Sequence, residues 1–159
     1  MREDIACILF LLLPAAAHAQ TIPAGWRVVK DAGKVCQLAV PSEWSLYGEK
    51  GGAAVLEDAS SAIATVTSQP AQDFSPLAES MLRLLEIPKD RVFENTLSRI
   101  FYQERASLNK EDPNTFSFSV PGKTGTCSGH LRALPAVQLD TVRKIALSLG
   151  PIAAANPTL

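Results

Sequence analysis

The chain has 159 residues, and its 15 lysines and arginines against 16 aspartates and glutamates give a formal net charge of −1. That length suits one domain with a single hydrophobic core. The near-neutral charge excludes the basic surface that nucleic-acid binding requires, and it provides no attraction to an anionic membrane.

The first nineteen residues predict a secretory signal peptide. An apolar stretch at residues 5–13 follows a short polar head, and Ala17, His18 and Ala19 form an A-x-A-like end. The apolar run has about half of the ~20 residues needed to cross a bilayer, so it is too short to stay as an anchor. We therefore expect cleavage after Ala19, no membrane span in the mature chain, and a periplasmic or secreted location.

Cleavage would remove Cys7 and leave two cysteines, Cys36 and Cys127. An even count in an exported chain favours a disulfide, because oxidising compartments let the bond persist. Two free thiols, a redox pair or metal ligands are the alternatives, but redox pairs are usually close in sequence and a zinc site takes four ligands. A bridge would close a loop of about 90 residues and stabilise the fold by roughly 4 to 5 kcal/mol.

The first half of the mature chain predicts β-strands. Residues 26–30 and 35–40 are separated by a turn-like segment, which favours a hairpin, and Cys36, Leu38 and Val40 share one face by alternation. Further strands are predicted at 44–47, 53–57 and 62–68, with a glycine-bearing loop at 48–52.

A helix is predicted next, with Ser75 as its N-cap and Pro76 at its first position. Its apolar residues recur with helical spacing at Leu77, Met81, Leu84 and Leu85. We expect this stripe to cover the sheet and the helix to end before Pro88.

The second half of the chain predicts three strands and a closing helix. Residues 96–107 form one long strand, residues 115–120 alternate strictly, and the last strand covers 126–134. On that last strand the residues of one face are Cys127, Gly129, Leu131 and Ala133. The closing helix at 138–149 has an apolar side made of Leu139, Val142, Ile145, Ala146 and Leu149. It stops at Gly150 and Pro151, and residues 152–159 are expected to be a disordered tail.

Strands outnumber helices and most connections are short, which indicates an α+β fold with an antiparallel sheet in a single domain over residues 20–151. The element order, with "VPSEW" after the second strand and "VRKIALSL" in the closing helix, resembles the Mog1/PsbP-like domains, including small exported bacterial members. The resemblance covers nearly the whole mature chain. It implies an α/β/α sandwich, the sheet flanked by helices, and an accessory or binding role; the family has no shared catalytic motif to carry over.

The residues themselves indicate a binding surface more than a reaction centre. Ser128, His130 and Arg132 share the side of the last strand that faces away from the core, and we predict a binding surface there. Side chains two apart on a strand diverge, and no nucleophile elbow is present, so we expect no catalytic residue. We also expect no cofactor-binding or metal-binding residue. Glu104 is expected to pair with Arg99 or Arg105.

These observations favour a non-catalytic exported accessory or binding domain, stabilised by one disulfide. Its partner would be a protein or a small molecule, with no nucleic acid and no cofactor. The alternative is a small secreted hydrolase or inhibitor-like protein that uses the strand face of Ser128, His130 and Arg132.

Overall fold

The computed structural model describes residues 22–50, 53–57, 62–70, 73–122 and 124–153. The predicted signal peptide at residues 1–19 lies outside the described residues. The strands are β1 (Trp26–Lys30), β2 (Cys36–Pro41), β3 (Ser45–Lys50), β4 (Ala53–Glu57), β5 (Ala62–Pro70), β6 (Val92–Asn95), β7 (Ile100–Arg105), β8 (Asn114–Pro121), β9 (Gly125–Ala133) and β10 (Gly150–Pro151). The helices are α1 (Glu79–Leu84) and α2 (Leu139–Ser148), and a 3₁₀ turn covers Lys89–Arg91.

A small antiparallel sheet has the order β1-β2-β10. The predicted hairpin is confirmed, with Val29 opposite Leu38. Gly150, predicted only as a helix stop, continues into β10 and pairs with Gln37 on the other edge of β2. The amide of Ile152 then donates to the carbonyl of Val35 at 2.9 Å, so the chain stays on this sheet beyond the helix.

Asp31, in the hairpin turn, ties the small sheet to β5. Its side chain is buried, and Oδ1 accepts the amides of Val35 and Cys36, each at 2.8 Å. Oδ2 accepts the hydroxyl of Ser68 on β5 at 2.7 Å. Burial pushes the pKa of Asp31 up, but hydrogen bonds from Cys36, Ser68, Val35 and Gly33 hold it below the ordinary value. The carboxylate is therefore the form that the fold stabilises.

The large sheet is antiparallel and has the order β3-β4-β5-β9-β8-β7-β6. The predicted single strand at 96–107 is wrong at its start, because the chain turns there and β6 precedes the turn. The amide of Thr96 donates to the carbonyl of Arg99 at 2.8 Å and closes this hairpin. β3 also runs to Lys50, into the segment predicted as a loop.

One face of the large sheet forms the core, and the alternation predicted for β8 and β9 is confirmed. Its buried residues include Ala64, Val66, Phe116, Phe118, Val120, Cys127, Leu131 and Ala133. Gly129 lies opposite Phe118, and a Cβ atom at Gly129 would come within 2.2 Å of that ring. The absence of a side chain at Gly129 is therefore what leaves room for the Phe118 ring.

The predicted disulfide is confirmed between Cys36 and Cys127. Its S–S distance is 2.07 Å and its Cα–Cα distance is 5.5 Å. Both cysteines are fully buried. Because Cys36 belongs to β2 and Cys127 to β9, the bond joins the small sheet to the centre of the large one.

Helix α2 covers the core beside β2. Its buried residues include Val142, Ile145 and Ala146, as predicted, whereas Leu139 is exposed. Near the end of the helix, the hydroxyl of Ser148 accepts the amide of Ala39 at 2.7 Å and so bonds the helix to β2.

Arg99, in the β6–β7 turn, holds the C-terminal end of α2. Its guanidinium donates to the carbonyls of Ala146 and Leu147 and lies 3.6 Å from Glu94. A cation is favourable there because the C-terminus of a helix carries partial negative charge.

Helix α1 departs from its prediction. It is six residues long and buries no side chain. Met81, Leu84 and Leu85 are 43%, 76% and 46% exposed, so the expectation that this stripe covers the sheet is wrong. The physical reason is that β2 and α2 already occupy the apolar face of the large sheet. The described part of the chain is an α+β fold built mostly from antiparallel strands.

We predict that the double change Cys36→Ala and Cys127→Ala lowers the free energy of unfolding by about 4 kcal/mol, because the unfolded chain loses a long covalent loop. Urea denaturation monitored by circular dichroism measures the effect. Reductant should shift the wild type in the same direction, since it opens the same bond. Thiol counting that finds both sulfurs free in the untreated protein would contradict the assignment.

Asp31→Asn should destabilise the fold by about 1 to 3 kcal/mol at neutral pH, because a buried charged acceptor is lost. The pKa of Asp31 is depressed in the fold, so its contribution is complete above the unfolded pKa and is lost as the pH falls through the folded value. The stability difference between variant and wild type should therefore shrink below about pH 4. Asp73→Asn, at an exposed aspartate, is the control and should show no such difference.

Candidate functional site

The face of the large sheet opposite the core carries polar side chains. On β9, Ser128, His130 and Arg132 alternate with buried residues and therefore share this face, as the alternation predicts. The register places Thr65 of β5 on one side of His130 and Ser117 of β8 on the other. We call this surface the polar face.

Glu104, Ser117 and His130 form a hydrogen-bonded cluster on the polar face. The Ser117 hydroxyl donates to Oε1 of Glu104 and lies 2.9 Å from Nδ1 of His130. The distance from that Nδ1 to Oε1 of Glu104 is 3.6 Å. The expectation that Glu104 pairs with Arg99 or Arg105 is therefore wrong.

Alternation from Tyr102 places Glu104 on the polar face, and a β-bulge brings Arg105 to the same face. The register of β7 against β8 shifts between Gln103 and Arg105, which leaves Glu104 as an extra residue. A bulge places two residues of one strand opposite a single residue of its partner and redirects their side chains. Glu104 and Arg105 consequently both lie on the polar face, which strict alternation along the sequence would not predict.

The cluster differs from the arrangement of a serine hydrolase. There, one imidazole nitrogen accepts the serine proton while the acid binds the other nitrogen. Here the acid and the hydroxyl face the same nitrogen, Nδ1 of His130, and Ser117 is only 7% exposed. The hydroxyl beside His130 belongs to Ser117 and not to Ser128. Since the Ser117 proton goes to Glu104, the Ser117 oxygen accepts from Nδ1 of His130 in this arrangement.

Tyr102 adjoins the cluster on β7, opposite Ser117. Burial raises the pKa of the Tyr102 hydroxyl, the negative charge of Glu104 raises it further, and a hydrogen bond with Ser117 acts in the opposite direction.

An open cleft of about 1080 Å³ lies where β7 and β9 end and β8 begins, beside the start of α2. Apolar side chains line much of it, among them Phe93, Phe116, Val137 and Val142. At its edge, Leu85, Leu108 and Leu139 are 46%, 84% and 42% exposed. Exposed large apolar side chains gathered in one place are typical of binding surfaces.

Two aromatic side chains that line the cleft, Phe93 and Phe116, form its floor and belong to a packed aromatic group with Phe101. The ring of Phe93 lies 4.7 Å from that of Phe101 and 6.3 Å from that of Phe116, measured between centroids. The guanidinium of Arg143 lies 5.7 Å from the centroid of Phe93. These contacts hold the floor in one shape. The cleft could not be predicted from the sequence, because its walls come from segments far apart in the chain.

Neither a cluster of metal ligands nor a membrane-spanning helix is found in the part of the chain that the structure describes. No group of three or more histidine, cysteine, aspartate or glutamate side chains is placed to hold a metal ion there. No helix in the same ranges has the length and apolar character needed to cross a bilayer.

No protein-family model matches the sequence, and no curated protein matches it either. A crystal structure from Bacteroides thetaiotaomicron VPI-5482, at 1.50 Å resolution, is similar in fold, with a TM-score of 0.52 and 9% sequence identity. The match covers 84% of this chain and 50% of that one, so this chain spans about half the length of that structure. The likeness concerns the fold alone. The resemblance to Mog1/PsbP-like domains stays a prediction.

We predict that Glu104→Gln lowers the pKa of Tyr102, because it removes a negative charge that disfavours the tyrosinate. An alkaline titration followed by the ultraviolet absorbance of tyrosinate measures the shift. Tyr102→Phe identifies which of the two tyrosine transitions belongs to this residue. A Glu104→Gln curve that superimposes on the wild-type curve would show that the carboxylate does not act on Tyr102.

Proposed function

We propose that this protein is a non-catalytic exported domain that binds an apolar partner in the cleft beside α2. The single observation that carries the proposal is the open cleft itself, with a packed aromatic floor and three exposed leucines at its edge. Clefts that combine apolar side chains with polar groups are where proteins most often take a ligand.

Export is part of the proposal, and the Cys36–Cys127 bond supports it. Structural disulfides persist in oxidising compartments and are rare in the cytosol. Together with the predicted signal peptide, the bond favours a periplasmic or secreted protein.

The Mog1/PsbP-like α/β/α arrangement belongs to the same proposal. Helix α2 would supply the helical layer over the core face of the sheet.

The second candidate, a small hydrolase or inhibitor-like protein that uses the polar face, has one observation in its favour. Glu104 lies beside His130, so an acid and a base are close together. Two features weigh against it: the neighbouring hydroxyl is nearly buried, and His130 is not among the residues that line the cleft. Turnover of an ester or amide substrate that is abolished by both Ser117→Ala and His130→Ala would favour this candidate over the first.

The cleft can be tested with a neutral apolar dye, Nile red, on the purified mature protein. We expect saturable binding with a rise in fluorescence. Leu108→Glu and Leu139→Glu should each weaken binding by about tenfold or more, because they place a charge against the apolar part of the dye.

The chain offers a matched control for each variant. Leu97→Glu changes a leucine that is 73% exposed in the β6–β7 turn, and Leu147→Glu changes one that is 56% exposed on α2, and neither lines the cleft. Both should bind the dye as the wild type does. The proposal fails if the controls lose binding to the same extent, or if the wild type shows no saturation while its circular dichroism spectrum is that of a folded protein.

A further inference from the structure

Two arginines stand in one row of the polar face. The register pairs Arg105 of β7 with Thr115 of β8, and Thr115 with Arg132 of β9. Directly opposed residues in an antiparallel sheet point to the same side, and neighbouring strands lie about 4.8 Å apart. The Cα atoms of the two arginines are therefore separated by about 10 Å. Side chains as long as arginine can meet over the hydroxyl of Thr115 at that separation.

Both guanidinium groups are available. Arg105 and Arg132 are exposed, and within the described residues neither side chain makes a hydrogen bond or an ion pair. In contrast, backbone carbonyl groups hold the side chains of Arg27, Arg91 and Arg99. A pair of unpartnered arginines in one cross-strand row is thus a distinct feature of this face.

Two acidic residues belong to the surroundings of the row. Glu57 of β4 pairs with Ile63, which lies opposite Arg132, so it stands in the same row two strands beyond Arg132. Glu104 lies on the same face, but its Oε1 already accepts the Ser117 hydroxyl and faces Nδ1 of His130. His130 occupies the next polar position along β9, and its side chain is 58% exposed. The Glu104 carboxylate repels an anion that binds at the row, but it does not pair with either arginine.

We propose that Arg105, Thr115 and Arg132 form a binding site for a single phosphoryl group. Each guanidinium presents its donors as a planar fork, and the threonine hydroxyl adds one donor between the two forks. A carboxylate has two oxygens and is satisfied by one fork, whereas a phosphate monoester has three strong acceptor oxygens. The donor set therefore matches a phosphoryl group better than a carboxylate.

The number of cations also selects the type of ligand. Nucleic-acid binding proteins neutralise many phosphates along a polymer, commonly about 6 to 10. Two arginines suit one phosphate, free or at the end of a small ester. Arg105 also lines the cleft, so an ester with an apolar group can place that group among the apolar side chains there. The phosphoryl site does not require the cleft to be occupied, because inorganic phosphate has no apolar part.

The test is a nuclear magnetic resonance titration of the ¹⁵N-labelled mature protein with inorganic phosphate, with sodium chloride at equal ionic strength as the reference. We expect saturable shifts at the backbone amides of Arg105, Thr115 and Arg132. Phenyl phosphate should bind more tightly than inorganic phosphate if its ring reaches the cleft. Vesicles of phosphatidylcholine with and without phosphatidic acid distinguish a lipid headgroup from a soluble ester as the source of the phosphate.

Arg105→Gln and Arg132→Gln should each weaken phosphate binding about tenfold, because each removes a charge-assisted hydrogen-bonding fork. Arg83→Gln, which removes one exposed arginine from α1, is the matched control and should bind as the wild type does. Glu104→Gln should tighten binding about 2- to 5-fold, since it removes the nearby negative charge.

The proposal is overturned if chloride produces the same shifts as phosphate, if acetate binds as tightly as phosphate, or if Arg83→Gln weakens binding as much as the two row variants. It is also overturned if the folded wild type shows no saturable shift. Absence of saturable Nile red binding to the folded wild type, with phosphate binding intact, would reject the proposed function and leave the phosphoryl site standing.

Discussion

The covalent bond between Cys36 and Cys127 sets the relation between the two sheets and, through it, the direction of every side chain on β9. Side chains alternate along a strand, so a cysteine fixed toward the core forces its neighbours outward. Ser128, His130 and Arg132 are on the polar face for this reason. The small sheet and α2 pack against the apolar face of the large sheet. The polar face and the cleft are left uncovered.

The end of β7 links the two candidate binding regions. Glu104, at the bulge, points its side chain toward Ser117 and His130 on the polar face. The backbone carbonyl of the same residue accepts Nη1 of Arg91 at 3.1 Å, while Nη2 of Arg91 donates to the carbonyl of Glu86 at 3.3 Å. One residue therefore belongs both to the hydrogen-bonded cluster and to the wall of the cleft. A ligand in the cleft and an anion on the polar face would meet at Arg105, the next residue.

The alternation of apolar and polar residues predicted much of the fold, because a strand with one buried face carries an apolar residue at every second position. It identified the core positions of β2, β8 and β9, and the helical period identified the buried side of α2. The helical period misled for α1, because an apolar stripe does not show which part of the protein, if any, packs against it. Alternation failed at residues 96–99, where the turn that closes the β6–β7 hairpin uses ordinary polar residues. The hydroxyl of Thr96 bonds within that turn, a local contact with no distinctive spacing.

The amino-acid sequence by itself determined the α+β class and most strand positions, because each depends on composition or on a short-range repeat, and it favoured a bond between Cys36 and Cys127. The tertiary structure alone decided that Glu104 meets Ser117 and His130, that Arg105 and Arg132 flank Thr115, and that a cleft opens beside α2. These neighbours are brought together by strand order, register and one bulge. A shift of one residue in any register would send each of those side chains to the other face, and no local pattern records which register the chain adopts.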